Sequence, residues 1–153
     1  MTLRRYSLVL TAACVLAACG VQGNSPAQVQ ADIAKAQADG QKKIADAEAK
    51  LAEIRQEASN APTDATAGTV REATSPAASR AVRIADAEYD LAKAKAQQIY
   101  DVALARCEDR SGYMYSACKN QAKSGYDLAM AAAKSQNDAA HRAGDIEPRP
   151  PPK

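Results

Sequence analysis

The sequence predicts an all-α protein of long alanine-rich, coiled-coil-like helices, with one disulfide-closed helical hairpin. Three observations carry that prediction. The chain is 46% hydrophobic over 153 residues, yet it holds no Phe and no Trp. From Cys19 onward only 17 residues are Val, Ile, Leu or Met, too few large side chains for a sizeable globular core. Alanine supplies most of the remainder, and it is the strongest intrinsic helix former. Such a chain can be helical throughout while burying little, which points to a rod or hairpin.

The first helix is expected over residues 25–58. Ser25 suits the N-cap, Pro26 the first helical position and Gln28 the third position of a capping box. Its apolar stripe runs Val29, Ile33, Ala36, Gly40, Ile44, Ala47, Leu51, Ile54 and Ala58, mostly in steps of three and four. Gly40 reads as a weak point in that helix, costing about 1 kcal/mol relative to alanine. Asn60 and Pro62 are placed to stop it. Residues 59–75, SNAPTDATAGTVREATS, are small, polar and aperiodic, and read as a flexible linker.

Residues 76–143 are expected to form the hairpin. Its first arm restarts at Ser75-Pro76 and runs to about Arg110, where Ser111-Gly112 breaks it. The second arm runs from about Ser116 to Ala143, with Gly144 placed to end it. Residues 144–153, ending DIEPRPPPK, are proline-rich and should be extended and disordered, partly polyproline II.

The two longest alanine-rich segments share a phrase. KIADAEAKLAEI at 43–54 and RIADAEYDLAKA at 83–94 match at seven of twelve positions. Ile44 and Leu51 in one, and Ile84 and Leu91 in the other, present equivalent stripes that can pack together or self-associate.

The N-terminus carries an address. Arg4 and Arg5 precede an apolar run from Tyr6 to about Ala18, the length of a secretory signal core and too short to span a bilayer. The run ends Leu16-Ala17-Ala18-Cys19, an aliphatic residue and two small residues before a cysteine. This resembles the bacterial lipobox, and the resemblance implies that residues 1–18 are a lipoprotein signal peptide. It also implies that Cys19 becomes the acylated first residue of the mature chain, with residues 19–24 as a lipidated tether. Cys14 competes poorly, because Thr11 occupies its aliphatic position. Two or three acyl chains anchor durably, since each buried CH₂ contributes about 0.8 kcal/mol. Gly20 rather than Asp follows the cysteine, which in Gram-negative lipoproteins implies the periplasmic face of the outer membrane.

Arg4 and Arg5 also account for the formal +2 charge, since without them 18 Lys and Arg balance 18 Asp and Glu. No basic block or aromatic–basic interleaving remains, which disfavours a nucleic-acid partner.

Cys107 and Cys118 are the pair left once Cys14 is cleaved away and Cys19 is acylated. An even pair in an exported chain reads as a disulfide, and the Ser-Gly break between them suits a hairpin stapled at its turn. Zinc is disfavoured because His141 is the single histidine and lies far along the chain. Redox chemistry is disfavoured because the spacing is not C-x-x-C. Tyr113 and Tyr115 fall inside the expected loop and are candidates for partner contact at its tip, the alternative being that they fold over the helices. Tyr89 and Tyr100 share a face and are expected to pack. Asp86, Glu88 and Asp90 alternate with lysines as a solvated face. No paired-carboxylate site, Ser/His/Asp set or phosphate loop is present, so neither catalysis nor a cofactor is expected.

The stretch from Ile84 to Lys134, with its helix, cysteine, polar loop, second cysteine and CKNQAKSGYDLAMAAAK continuation, resembles uncharacterised alanine-rich TolA-like envelope proteins of proteobacteria. The resemblance implies a structural or interaction role in the cell envelope. Two alternatives are a peptidoglycan tether joined to the wall through Lys153, as in murein lipoproteins, and an accessory subunit of an envelope enzyme or transport complex. The ending PRPPPK departs from the usual murein lipoprotein ending.

Overall fold

The computed structural model describes residues 24–60 and 76–144, and these are almost wholly helical with no strand among them. Helix α1 spans Pro26–Asn60, α2 spans Pro76–Cys107 and α3 spans Gly112–Gly144. The expected signal peptide, the lipidated tether up to residue 23, linker residues 61–75 and tail residues 145–153 lie outside the described residues.

The start of α1 follows its sequence signals. The Gln28 backbone N–H donates to Ser25 Oγ at 3.3 Å, and Val29 N–H donates to the Ser25 carbonyl at 3.0 Å. Those bonds satisfy donors that a helix end otherwise leaves unpaired. The far end runs two residues past the expected Ala58, and Ser59 Oγ donates to the Gln56 carbonyl. Residues 59 and 60 are therefore helix rather than linker.

Helix α2 is the centre of the arrangement, with α1 packed antiparallel on one flank and α3 antiparallel on the other. Among the described residues α1 and α3 do not pack on each other. The first helix is thus joined to the hairpin as a third layer member. Its whole expected stripe turns inward: Val29, Gly40 and Leu51 are buried, and Ile33, Ala36, Ile44, Ala47, Ile54 and Ala58 are half-buried.

The buried residues are few and small: Val29, Leu51, Ala87, Ala96, Ala105, Cys107 and Ala133, with Gly40 among them. On the 3.6-residue period, Ala87 and Ala105 share the face of Gln98, which meets α1, whereas Ala96 shares the face of Cys107, which meets α3. Small side chains on both flanks let both neighbours approach α2 closely.

Gly40 shows how close. A Cβ built there would lie 2.3 Å from Gln98 Cγ and 2.6 Å from Gln98 Cβ, and the Gln98 amide donates to the Gln37 carbonyl at 3.1 Å. The glycine expected to weaken α1 is therefore the point where α2 crosses it. The propensity cost is real, but it admits a contact that alanine would block.

The repeated phrase packs against itself. Lys50 and Asp90 are equivalent positions, 40 residues apart, and they pair with each other at 2.9 Å. On either side, Arg55 pairs with Glu88 at 2.7 Å and Lys95 with Glu48 at 3.3 Å. Glu48 is equivalent to Glu88, and Arg55 to Lys95, so those two pairs are related by a local two-fold axis through Lys50–Asp90. Arg83–Glu57 extends the ladder. Each pair is about half-exposed, so each contributes at most about 1 kcal/mol. Their use is to select register along a seam of interchangeable alanines.

Gly40→Ala should lower the thermal stability of α1 by the equivalent of about 1–3 kcal/mol through overpacking, despite its better helix propensity. Circular dichroism melting of the two proteins checks this, and a rise in Tm would show that α1 and α2 do not meet at Gly40.

Candidate interaction sites

The turn between α2 and α3 is short and closed by covalent chemistry. Cys107 and Cys118 form a disulfide with a Cα–Cα distance of 5.8 Å, and Cys107 is wholly buried. Glu108 N–H donates to the Ala105 carbonyl and Arg110 N–H to the Cys107 carbonyl, which folds the chain back within four residues. Gly112 then starts α3 with φ +57°, a backbone conformation that a side chain would strain.

The break expected at Ser111-Gly112 is present, but both helix boundaries around it lie three or four residues earlier in the chain than the spacing implied. Helix α2 stops at Cys107 rather than near Arg110, and α3 begins at Gly112 rather than near Ser116. Tyr113 and Tyr115 therefore belong to the first turn of α3, not to a loop. The reason is local: Gly112 supplies the turn, and Tyr115 N–H bonds the Ser111 carbonyl to open the next helix at once.

The two tyrosines also differ in environment. Tyr113 is 84% exposed, as is its neighbour Met114 at 57%. Tyr115 is half-buried. Its hydroxyl donates to Glu108 Oε1 at 3.1 Å, and Lys119 Nζ lies over its ring, 4.9 Å from the centroid. Beneath the staple Val102, Leu104, Ala122 and Tyr126 are all half-buried. Tyr100 packs tilted against Tyr126 with ring centroids 5.2 Å apart, and Tyr89 is half-buried further along.

At the opposite end of the hairpin lies a polar clasp that spacing alone did not reveal. Asn137 Nδ2 donates to Asp86 Oδ1 at 2.8 Å, and His141 Nε2 sits 2.8 Å from the same oxygen. The Asn137 hydrogen bond chiefly, then that of His141, holds the Asp86 carboxyl below its ordinary value of 3.8. Asp86 thus joins two helices instead of merely facing solvent. The i,i+4 spacing of Asn137 and His141 was the available signal, but it names no partner. On the outer face of α3, Asp127 raises the Lys123 ammonium, and the Lys134–Asp138 pair raises the lysine and lowers the carboxyl.

A shallow groove of about 780 Å³ runs along α2 toward the turn, bordered by Gln41 of α1, Ile99 and Arg106 of α2, and Tyr126 of α3. It exists because α1 and α3 grip α2 without meeting. Its lining holds no Asp, Glu or His. Among the described residues no three or more His, Cys, Asp or Glu side chains are grouped to hold a metal ion. Nor is any described helix long and apolar enough to cross a membrane. Cys19 and Lys153 lie outside the described residues. No family model, no curated protein and no solved structure matches this chain.

Two outcomes follow from this geometry. Reducing Cys107–Cys118 should remove roughly 3 kcal/mol on the chain-entropy account and loosen residues 95–130, while α1 remains helical. Hydrogen exchange with and without reductant checks this, and unchanged protection around the turn would make the staple dispensable. The Asp86 clasp has a defined pH sense. Because its folded pKa is depressed, its contribution is complete above the unfolded value of 3.8 and vanishes as pH falls through the lower folded value. Asp86→Asn should therefore flatten the acid limb of Tm against pH, and an unaltered acid limb would assign acid loss to other carboxylates.

Proposed function

We propose that this chain is a lipid-anchored envelope spacer, acylated at Cys19 and held at the periplasmic face of a Gram-negative outer membrane, with a structural or interaction role and no catalysis. The observation that carries the reading is Leu16-Ala17-Ala18-Cys19, closing a short apolar run behind Arg4 and Arg5. Chain geometry supports it. Helix α1 begins only a few residues after Cys19, so little slack separates an anchor from the rod. Helix α2 has 32 residues, about 48 Å at 1.5 Å per residue. The rod would carry its far end well clear of the headgroups.

One observation favours a second reading, a tether to peptidoglycan through Lys153. Asn24 sits beside Glu108 at the turn, whereas Gly144 lies against Val82 near the start of α2. The residues leading to Lys153 therefore depart from the end opposite the anchor, as a link between two layers would require.

Cys19→Ser should abolish incorporation of a fatty-acid analogue and leave unprocessed precursor, and label retained by the variant would end the anchor assignment. In the same cells, hot detergent should extract the whole wild-type pool. A fraction retained until muramidase digestion, and lost on deleting Lys153, would favour the tether instead.

A further inference from the structure

We propose that the turn of the hairpin is a membrane-docking surface: Tyr113 and Met114 insert into the interfacial zone of the bilayer that holds the anchor. The inference rests on the Cys19 anchor reading and adds a second, protein-made contact to it.

The first observation is where the described chain begins. The Asn24 backbone N–H donates to the Glu108 carbonyl at 3.2 Å, so the start of the rod is fastened to the turn. From Cys19 to Asn24 the chain takes five steps, and fully extended it spans at most about 18 Å. An acylated Cys19 sits at the bilayer surface. The turn is thereby confined to roughly the thickness of the headgroup region and its first water layers.

The second observation is what the turn presents. Tyr113 and Met114 are adjacent in the first turn of α3 and are 84% and 57% exposed. Side chains on a helix tilt toward its N-terminus, and α3 starts at this end. Both therefore lean outward past the end of the bundle, toward the side on which the anchor lies. Ile99 and Leu128 are also exposed, but they stand singly along the flanks of the rod, which is ordinary for a surface. Tyrosine suits the boundary zone, with an apolar ring and a hydroxyl that stays among headgroups. Arg106, Arg110 and Lys119 are exposed at the same end and offer cations to phosphate.

The third observation is rigidity. The disulfide and the positive-φ Gly112 fix the direction in which α3 leaves the turn, so the pair is presented without an ordering cost at contact. Docked in this way, the rod stands away from the membrane instead of lying along it. Its Asp86 clasp and Gly144 become the distal end.

The chain contains no tryptophan, which gives a clean test. Tyr113→Trp places one at the turn, and Ala139→Trp places one on an exposed site of α3 about 40 Å away along the helix. Each full-length acylated protein is reconstituted into phosphatidylcholine–phosphatidylglycerol vesicles with brominated acyl chains, and the Cys19 peptide is weighed by mass spectrometry. The expected result is several-fold stronger bromine quenching and a blue-shifted emission for the tryptophan at 113, with neither at 139. Equal quenching at both positions in acylated protein, or none at either, overturns the docking and leaves the anchor. Absent acylation with quenching still selective for position 113 keeps the docking and removes the anchor. Absent acylation without quenching overturns both.

Discussion

The structure depends on the narrowness of α2. It is the only described helix in contact with both others, so it must offer two packing faces while carrying few large side chains. Alanine at 87, 96 and 105 and the buried Cys107 satisfy that demand. A larger residue on either face would push one neighbour away, and nothing would compensate, because α1 and α3 do not support each other. Close approach replaces the deep core of a globular domain, and van der Waals contact between backbones and methyl groups takes over from large hydrophobic burial.

Close approach between alanines has a weakness, since one register resembles the next. Two devices resolve it. On the α1 side the charge ladder selects a single alignment, centred on the Lys50–Asp90 pair of the repeated phrase. Two copies of α1 paired about the same axis would bring Lys50 against Lys50, and two copies of α2 would oppose Asp90 with Asp90. Like charges facing one another disfavour both arrangements relative to the pair within one chain. On the α3 side, the disulfide at one end and the Asp86–Asn137–His141 clasp at the other hold the two helices at both extremities. Weak surface interactions matter here because the alternatives they discriminate are themselves nearly equal in packing energy.

The ends of the rod acquire different characters from this arrangement. One end gathers the start of α1, the disulfide, the short turn and two exposed apolar side chains. The other gathers the polar clasp and the exit of α3. That polarity turns a plain helical layer into an object with two distinct ends, as the proposed envelope role would require.

Much of this was legible in the residues alone. Helix formation, the Ser25-Pro26 start, the inward stripe of α1 and the pairing of Cys107 with Cys118 follow from local propensity, periodicity and cysteine arithmetic, all properties that act over a few residues. The resemblance of residues 16–19 to a lipobox likewise needs no tertiary structure. What the sequence could not decide was which residues meet across helices. Gly40 reads as a defect until Gln98 is seen lying over it, and Asp86 reads as a solvated charge until Asn137 and His141 close on it. Tyr113 and Tyr115 look alike in the sequence, yet Glu108 and Lys119 hold one while the other stands exposed to solvent. The physical reason is common to all three. A helical period states which face is buried but not what covers it, and only the packing of distant segments supplies the partner.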